Sequence, residues 1–169
     1  MSFSLLRCSI SVVLASLLFA CSQATDNPSP GAASQEAGDT ANYNLTMDMT
    51  EFMAHVVEPV ADSLWQTAGW VLDRDDGYYE LYPTNDEEWQ QAHNNSAMIV
   101  EIGNLLLLPG RVQEGPWRTY AEAISTVGET LMAATDAQNN EDYFQAGAQL
   151  YSVCTACHQA YNPDILSRF

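Results

Sequence analysis

The stretch that decides the fold is Tyr151-Ser152-Val153-Cys154-Thr155-Ala156-Cys157-His158, which combines an apolar helical pattern with the spacing Cys-x-x-Cys-His. Two thiols at this spacing suit a redox-active pair, but such a pair begins a helix in a fold of alternating strands and helices, and no such alternation surrounds it. They also suit half of a zinc site. A zinc site needs a second pair of ligands, and the only other histidines are His55 and His93.

The third interpretation is covalent attachment of a haem, and this is the one the sequence favours. The thiols of Cys154 and Cys157 add across the two vinyl groups of the porphyrin, and the adjacent His158 then lies beneath the iron as an axial ligand. The spacing therefore predicts one cofactor, a single covalently bound haem c.

The sequence before and around this motif predicts helix throughout the domain, because apolar residues recur at spacings of three and four. A first helix is predicted from about Asp48 to Gly69, capped by Asp48 or Thr46 and kinked at Pro59. Residues 73–83 are predicted to form a polar loop.

Three more helices follow in the prediction. The second opens at Thr84, with Glu87 as the partner in a capping box, and ends at residues 109–110. The third starts near Pro116, and the fourth starts after residues 139–140 and carries the Cys-x-x-Cys-His motif. The fold class predicted is therefore all-α, an antiparallel four-helix bundle with the haem near the C-terminal end of the last helix.

The N-terminal residues carry the pattern of an exported protein. Arg7 is the only charge in the first 25 residues, and residues 10–20 are almost entirely apolar. This predicts a signal peptide over residues 1–20, since the run is too short to span a bilayer, which takes roughly 20 residues. Leu18-Phe19-Ala20-Cys21 resembles the bacterial lipobox, in which the cysteine becomes the lipidated first residue.

The expected location follows from this resemblance. Ser22 after the cysteine favours the outer membrane, so we expect a periplasmic domain with a lipid anchor at Cys21. Phe19 is an unusual lipobox residue, which leaves simple signal cleavage open. Residues 21–44 are rich in Ser, Ala, Asn, Pro and Gly, which predicts a disordered tether. Residues 45–169 then form a single domain.

The charge balance restricts the partners. The chain has 22 Asp and Glu residues against five basic residues, all of them arginine. Such a surface repels nucleic acid and anionic headgroups, so membrane contact is expected only through the lipid anchor. It attracts a redox partner protein with a basic surface, although solubility alone also explains an acidic exported protein.

A four-helix bundle with Cys-x-x-Cys-His near the end of its last helix resembles the class II cytochromes c, namely cytochrome c prime and its low-spin relatives. The resemblance covers residues 45–169. Class I cytochromes c place this motif near the N-terminus and supply a methionine much later, whereas only eleven residues follow His158 here. Many class II proteins pair through their first two helices, which makes a homodimer a candidate assembly.

The resemblance also implies how the second axial position is filled. In class II proteins the first helix covers the distal face of the haem, where low-spin members supply a methionine and cytochrome c prime supplies an apolar side chain. Met53 matches that place, with Met49 second. Ordinary core packing of a methionine is the competing interpretation. His55 falls on a polar face and is expected at the surface, and His93 on the second helix stays open as a ligand.

The residues that would contact the haem propionates match the class II pattern less well. Some class II proteins place basic residues on the first helix for this purpose, and this chain has none there. Arg111 and Arg118 are the remaining candidates.

Electron transfer is the function these features favour, because a haem ligated by His and Met cycles between oxidation states with little rearrangement. A five-coordinate haem that binds small gases such as nitric oxide or carbon monoxide is the alternative. A peroxidase needs a distal His and Arg together, and the first helix offers no such pair. We therefore expect no enzymatic activity.

Overall fold

The computed structural model describes residues 42–164. The signal peptide, Cys21 and most of the tether predicted above lie outside these residues. The described part is mostly helical, and its helices pack against one another around a single apolar core. Its elements are, in chain order, α1 (Met49–Phe52), a π-helical turn (Met53–Val57), α2 (Glu58–Trp65), β1 (Trp70–Leu72), β2 (Tyr78–Glu80), α3 (Asp86–Leu106), α4 (Trp117–Asp136) and α5 (Asn140–Tyr161).

The first helix of the bundle is continuous from α1 through the π turn to α2, and we call residues 49–65 the distal helix. Its N-cap is Asp48, as predicted, and the Asp48 carboxylate accepts the backbone N–H of Glu51 at 2.9 Å. The helix ends at Trp65 rather than Gly69, because Gly69 adopts a positive φ of 100° and leads into β1.

The cap of α3 lies one residue later than predicted. Asn85 rather than Thr84 is the N-cap, and the Asn85 side chain accepts the N–H of Glu88 at 3.0 Å. The Glu88 carboxylate in turn accepts the backbone N–H of Thr84 at 2.6 Å. Thr84 with Glu87 and Asn85 with Glu88 both have the capping-box spacing of three residues, and asparagine is the stronger N-cap of the two residue types.

Residues 70–80 form an antiparallel β-hairpin, whose turn and second strand lie in the predicted polar loop and whose first strand precedes it, so the expectation of helix and loop alone was wrong here. Strands β1 and β2 pair Trp70 with Glu80 and Leu72 with Tyr78. The turn between them is held by Asp73, whose carboxylate accepts the N–H groups of Asp75 and Asp76. Each strand has only three residues, which is too short for period-two alternation to stand out from the sequence.

Neighbouring helices approach closely and run in opposite directions. A Cβ at Gly128 of α4 would lie 2.7 Å from the backbone nitrogen of Val100 on α3. Ser125, one turn earlier on α4, faces Gly103, one turn later on α3. The order of these contacts makes α3 and α4 antiparallel. The glycines allow the two backbones to approach so closely.

The interior is filled by large apolar side chains from every helix. Tyr143 of α5 is fully buried and packs edge-on against Trp89 of α3, with ring centroids 5.7 Å apart. The Tyr143 hydroxyl makes a hydrogen bond of 3.0 Å with the Thr67 hydroxyl, which ties α5 to the end of the distal helix. None of the helices within residues 42–164 is both long enough and apolar enough to cross a bilayer.

Candidate functional site

The bundle contains a cleft of about 610 Å³ between the distal helix and α5. This volume lies within the range of about 300–1,000 Å³ typical of cofactor and ligand sites. The lining is mostly apolar, and it comes from three sides: the distal helix, the C-terminal half of α5, and a base formed by α4 with the end of α3. The lining residues of α3, α4 and α5 are Leu106, Trp117, Tyr120, Ala121, Ile124, Tyr151, Cys154, Thr155, Cys157 and His158, with Asn162 just after α5.

The motif residues reach the cleft because α5 remains helical through them. Cys154 and His158 are four residues apart and so lie on one face of the helix, with Cys157 beside them. All three side chains are half-buried, and both cysteines are free thiols. The structure therefore brings the two predicted attachment cysteines and the predicted iron ligand to one wall of the same cleft.

Burial shifts the pKa values of the two thiols and the imidazole on this wall. Burial raises the pKa of the Cys154 thiol to about 11, and the neighbouring Cys157 adds to the rise. Burial also raises the pKa of Cys157 and lowers the pKa of His158. A catalytic redox thiol shows the opposite shift, a lowered pKa at the start of a helix. At neutral pH His158 is therefore the neutral imidazole, the form that binds a metal ion.

The opposite wall of the cleft is the distal helix, and its lining follows a strict four-residue spacing. The side chains that face the cleft are Met49, Thr50, Met53, Ala54, Val57, Glu58, Ala61, Asp62 and Trp65. Both methionines predicted as distal ligands are among them, opposite the motif. Both are partly buried and also pack against the apolar core.

The π turn explains how one helix keeps this spacing over 16 residues. In an uninterrupted α-helix each four-residue step overshoots a full turn by about 40°, so Met49 and Trp65 would face directions roughly 160° apart. A π turn takes an extra residue and turns the chain less per residue. Because the turn lies between Met53 and Val57, it brings both methionines back to the face that carries Ala61 and Trp65.

Pro59 gives a physical reason for the π turn. A proline has no N–H to donate, and its ring clashes with the carbonyl four residues earlier, here that of His55. Pro59 lies in the first turn of α2, directly after the π turn. The kink predicted at Pro59 therefore takes the form of a π turn, and such turns recur at functional sites.

Trp65 closes one end of the cleft, and the sequence did not single it out. Its indole N–H donates to the Gly147 carbonyl oxygen at 3.0 Å, and its ring meets Tyr151 edge-on at 5.8 Å. Trp117 and Tyr120 in the base were also missed. The sequence pattern that could have indicated Trp65 is the four-residue spacing of residues 49, 53, 57, 61 and 65, all of which line the cleft.

The other predicted site residues do not line the cleft. His55 is exposed, as expected. The His93 Nδ1 lies 3.0 Å from a carboxylate oxygen of Asp136 and 3.2 Å from the Thr135 hydroxyl, which holds the imidazole against α4. Arg118 is exposed and pairs with Glu122 at 3.4 Å. Within residues 42–164 no three or more His, Cys, Asp or Glu side chains are grouped so as to hold a metal ion.

Arg111 has an unusual environment beside the distal helix. It is about nine-tenths buried, and its guanidinium carbon lies 4.0 Å from the centroid of the Phe52 ring, next to Met53 in the chain. Its Nε and Nη1 have no hydrogen-bond partner among the described residues. A buried charge without a partner is costly, so this position suits an anionic group that the polypeptide itself does not supply.

The residues present therefore fit a haem. The cleft has a suitable volume, and it carries two thiols and a neutral imidazole from α5 and two thioethers from the distal helix. Arg111 does not line the cleft, but it stacks on Phe52, the residue before Met53. Comparison with the models of protein families, with curated protein sequences and with solved structures found no match to this chain.

Proposed function

We propose that this chain is an exported c-type cytochrome of the class II kind, with a single haem held covalently between the distal helix and α5, and that it transfers electrons. The observation that carries the proposal is the lining of the cleft: Cys154, Cys157 and His158 of α5 line the same cleft as Met53 and Met49 of the distal helix. Bound there, a haem would supply a one-electron iron couple and thus the redox chemistry that the polypeptide lacks.

The side chains of the α5 wall would hold the group. The Cys154 and Cys157 thiols would each form a thioether, with the S–H adding across a vinyl group, so that no oxidant is needed. His158 would coordinate the iron from the same side. The raised thiol pKa values keep both sulfurs protonated and unreactive until that addition.

The distal wall would set the spin state. Thioether sulfur is a soft ligand that favours ferrous iron and raises the reduction potential. Met53 is the proposed ligand, and Met49, one turn away on the same face, is the second candidate. Val57 and Ala61 add apolar surface to that side, while Glu58 and Asp62 of the same helix add carboxylates to the lining.

Gas binding is the second candidate function, and the same distal wall is the observation that favours it. If neither methionine ligates, the wall presents an apolar surface to an open iron position, which suits an uncharged diatomic gas. Absorption spectra of the ferric and ferrous protein separate the two functions. A low-spin spectrum with a weak near-infrared sulfur-to-iron band supports electron transfer, and a high-spin spectrum supports gas binding.

The anchoring at Cys21, outside the described residues, remains part of the proposal. A lipid at Cys21 and a tether up to about residue 44 would let the domain move at the periplasmic face of the outer membrane. Cell fractionation of a Cys21→Ser variant tests this, because loss of the lipid should release the domain from the membrane fraction.

A further inference from the structure

The β-hairpin carries an exposed apolar face that the proposed haem site does not use. Residues opposite one another in an antiparallel pair point to the same side, so Trp70, Leu72, Tyr78 and Glu80 share one face. The first three are 60%, 70% and 60% exposed, and the Trp70 and Tyr78 rings lie with centroids 6.1 Å apart. Large exposed apolar groups that are clustered in this way mark interaction sites.

Two aromatic residues of α5 lie near the hairpin and near the cleft, respectively. Phe144 packs against Gly69, the residue before β1, since a Cβ at Gly69 would lie 3.2 Å from the Phe144 ring. Tyr151, two helical turns further along, is 60% exposed and lies at the cleft, in contact with Trp65. A partner seated on the hairpin and this side of α5 would therefore lie beside the Trp65 end of the cleft.

The charge of the hairpin indicates which kind of partner fits. Its residues 70–80 contain three aspartates and one glutamate against a single arginine. Hydrogen bonds from the backbone N–H groups of Asp76 and Asp75 lower the pKa of Asp73, so Asp73 stays ionised. The whole chain has a net charge of −17, so a second copy of the chain would be repelled.

We propose that the hairpin face of Trp70, Leu72 and Tyr78, with its acidic turn, is the docking surface for a basic electron-transfer protein. This inference rests on the proposed function and assigns a location to the partner. Tryptophan and tyrosine are enriched among the few residues that dominate the binding energy at protein interfaces. The acidic turn steers the basic partner toward the face and fixes its orientation.

The test uses the haem-loaded protein, labelled with ¹⁵N, and a basic mitochondrial cytochrome c as the probe, with both proteins in the ferrous state. Titration followed by NMR should perturb the amides of residues 70–80, and the affinity should fall as salt is added. A Trp70→Thr/Tyr78→Thr variant keeps residues that favour strands and should raise the dissociation constant about tenfold or more. The matched control is Met98→Thr/Val112→Thr, which removes exposed apolar residues from α3 and the α3–α4 loop and should leave binding unchanged.

A second variant separates the electrostatic attraction of the partner by the acidic turn from its contact with the aromatic residues. Asp75→Asn/Asp76→Asn keeps Asp73, the residue that holds the turn, and should weaken the salt dependence of binding. Perturbations confined to another face, or equal binding by the Trp70/Tyr78 variant and its control, would overturn the docking proposal. Self-association of the chain that is lost in the Trp70/Tyr78 variant would also overturn it, because a second copy would then cover the face. The proposed function is judged separately, by the spectrum and reduction potential of the same samples, which the hairpin substitutions should not alter.

Discussion

The backbone N–H of Glu58 donates its hydrogen bond to the carbonyl oxygen of Met53, five residues earlier in the chain. This bond defines the π turn of the distal helix. It also connects the position of Met53 at the cleft to Pro59, the next residue along. We therefore expect the rotation of the proposed distal ligand to depend on a proline that does not itself line the cleft.

The first prediction concerns that proline. In a Pro59→Ala variant, residue 59 regains an N–H that can donate to the His55 carbonyl, so the π turn should relax to α-helix. Met49 and Met53 should then rotate away from the face that carries Ala61 and Trp65. We expect loss of the near-infrared sulfur-to-iron band in the absorption spectrum of the variant.

The control for this variant is Pro109→Ala. Pro109 is exposed in the turn after α3 and does not line the cleft, so its replacement should leave the spectrum unchanged. An unaltered sulfur-to-iron band in Pro59→Ala would show that packing rather than the proline holds the π turn.

The second prediction concerns Met53 as the distal ligand. Met53→Leu should convert the haem from low to high spin and lower its reduction potential, because a thioether no longer favours the ferrous state. Stability should change by less than about 1.5 kcal/mol, since leucine and methionine have similar volumes. Redox titration and thermal unfolding measure the two effects on the same sample.

Met49→Leu is the matched control, with the same chemical change one turn away. A low-spin protein that responds to Met49→Leu and not to Met53→Leu would assign the ligand to Met49. A wild-type protein that is already high spin would contradict ligation by either residue. Its ferrous form should then bind carbon monoxide, as the gas-binding function requires.

The third prediction tests Arg111 as the partner of a haem propionate. Arg111→Met keeps an apolar stem against Phe52 and removes the charge. With haem bound, the reduction potential should fall, because a nearby positive charge disfavours the more positive ferric state. Without haem, the variant should be at least as stable as the wild type, since an unpartnered buried charge has been removed.

Arg118→Met is the control for Arg111, because it makes the same substitution at an exposed position paired with Glu122. Its effect on the potential should be much smaller, since solvent screens the charge. A larger shift in Arg118→Met than in Arg111→Met would reverse the assignment.

The fourth prediction concerns the close contact of α3 and α4. Gly128→Ala would place a methyl group 2.7 Å from the Val100 backbone nitrogen, where backbone has to move. We expect a loss of about 1–3 kcal/mol in the free energy of unfolding. Chemical denaturation followed by far-ultraviolet circular dichroism measures it.

Gly147→Ala provides the comparison within the same fold. Its added Cβ would lie 3.7 Å from the nearest atom of Trp65, which is an ordinary contact. Alanine is also the better helix former by about 1 kcal/mol, so this variant should be as stable as the wild type or more so. If the two glycine variants lose similar stability, the close approach of α3 and α4 at Gly128 is not as the structure describes it.

The sequence was informative where the determinants are local. The cap at Asp48, the start of α4 just after Pro116 and the single face of α5 with Cys154 and His158 all follow from spacing within one helix. Such features depend on neighbours within one or two turns, so no knowledge of the fold is needed to predict them.

What the sequence did not reveal depends on tertiary contacts or on short segments. Pro59 indicated a distortion, but whether it becomes a kink or a π turn depends on which face of the distal helix must be buried. The stacking of Arg111 on Phe52 joins residues far apart in the chain. The hairpin strands are three residues long, and their pairing is determined by the turn at Asp73.

The measurement that tests the central claim most directly is the intact mass of the denatured protein, produced in cells that mature c-type cytochromes. The account predicts that the polypeptide carries the added mass of one haem after acid-acetone extraction, and that Cys154→Ala/Cys157→Ala, made as a control, carries none. Haem released into the solvent, or a wild-type polypeptide with no added haem mass, would contradict it.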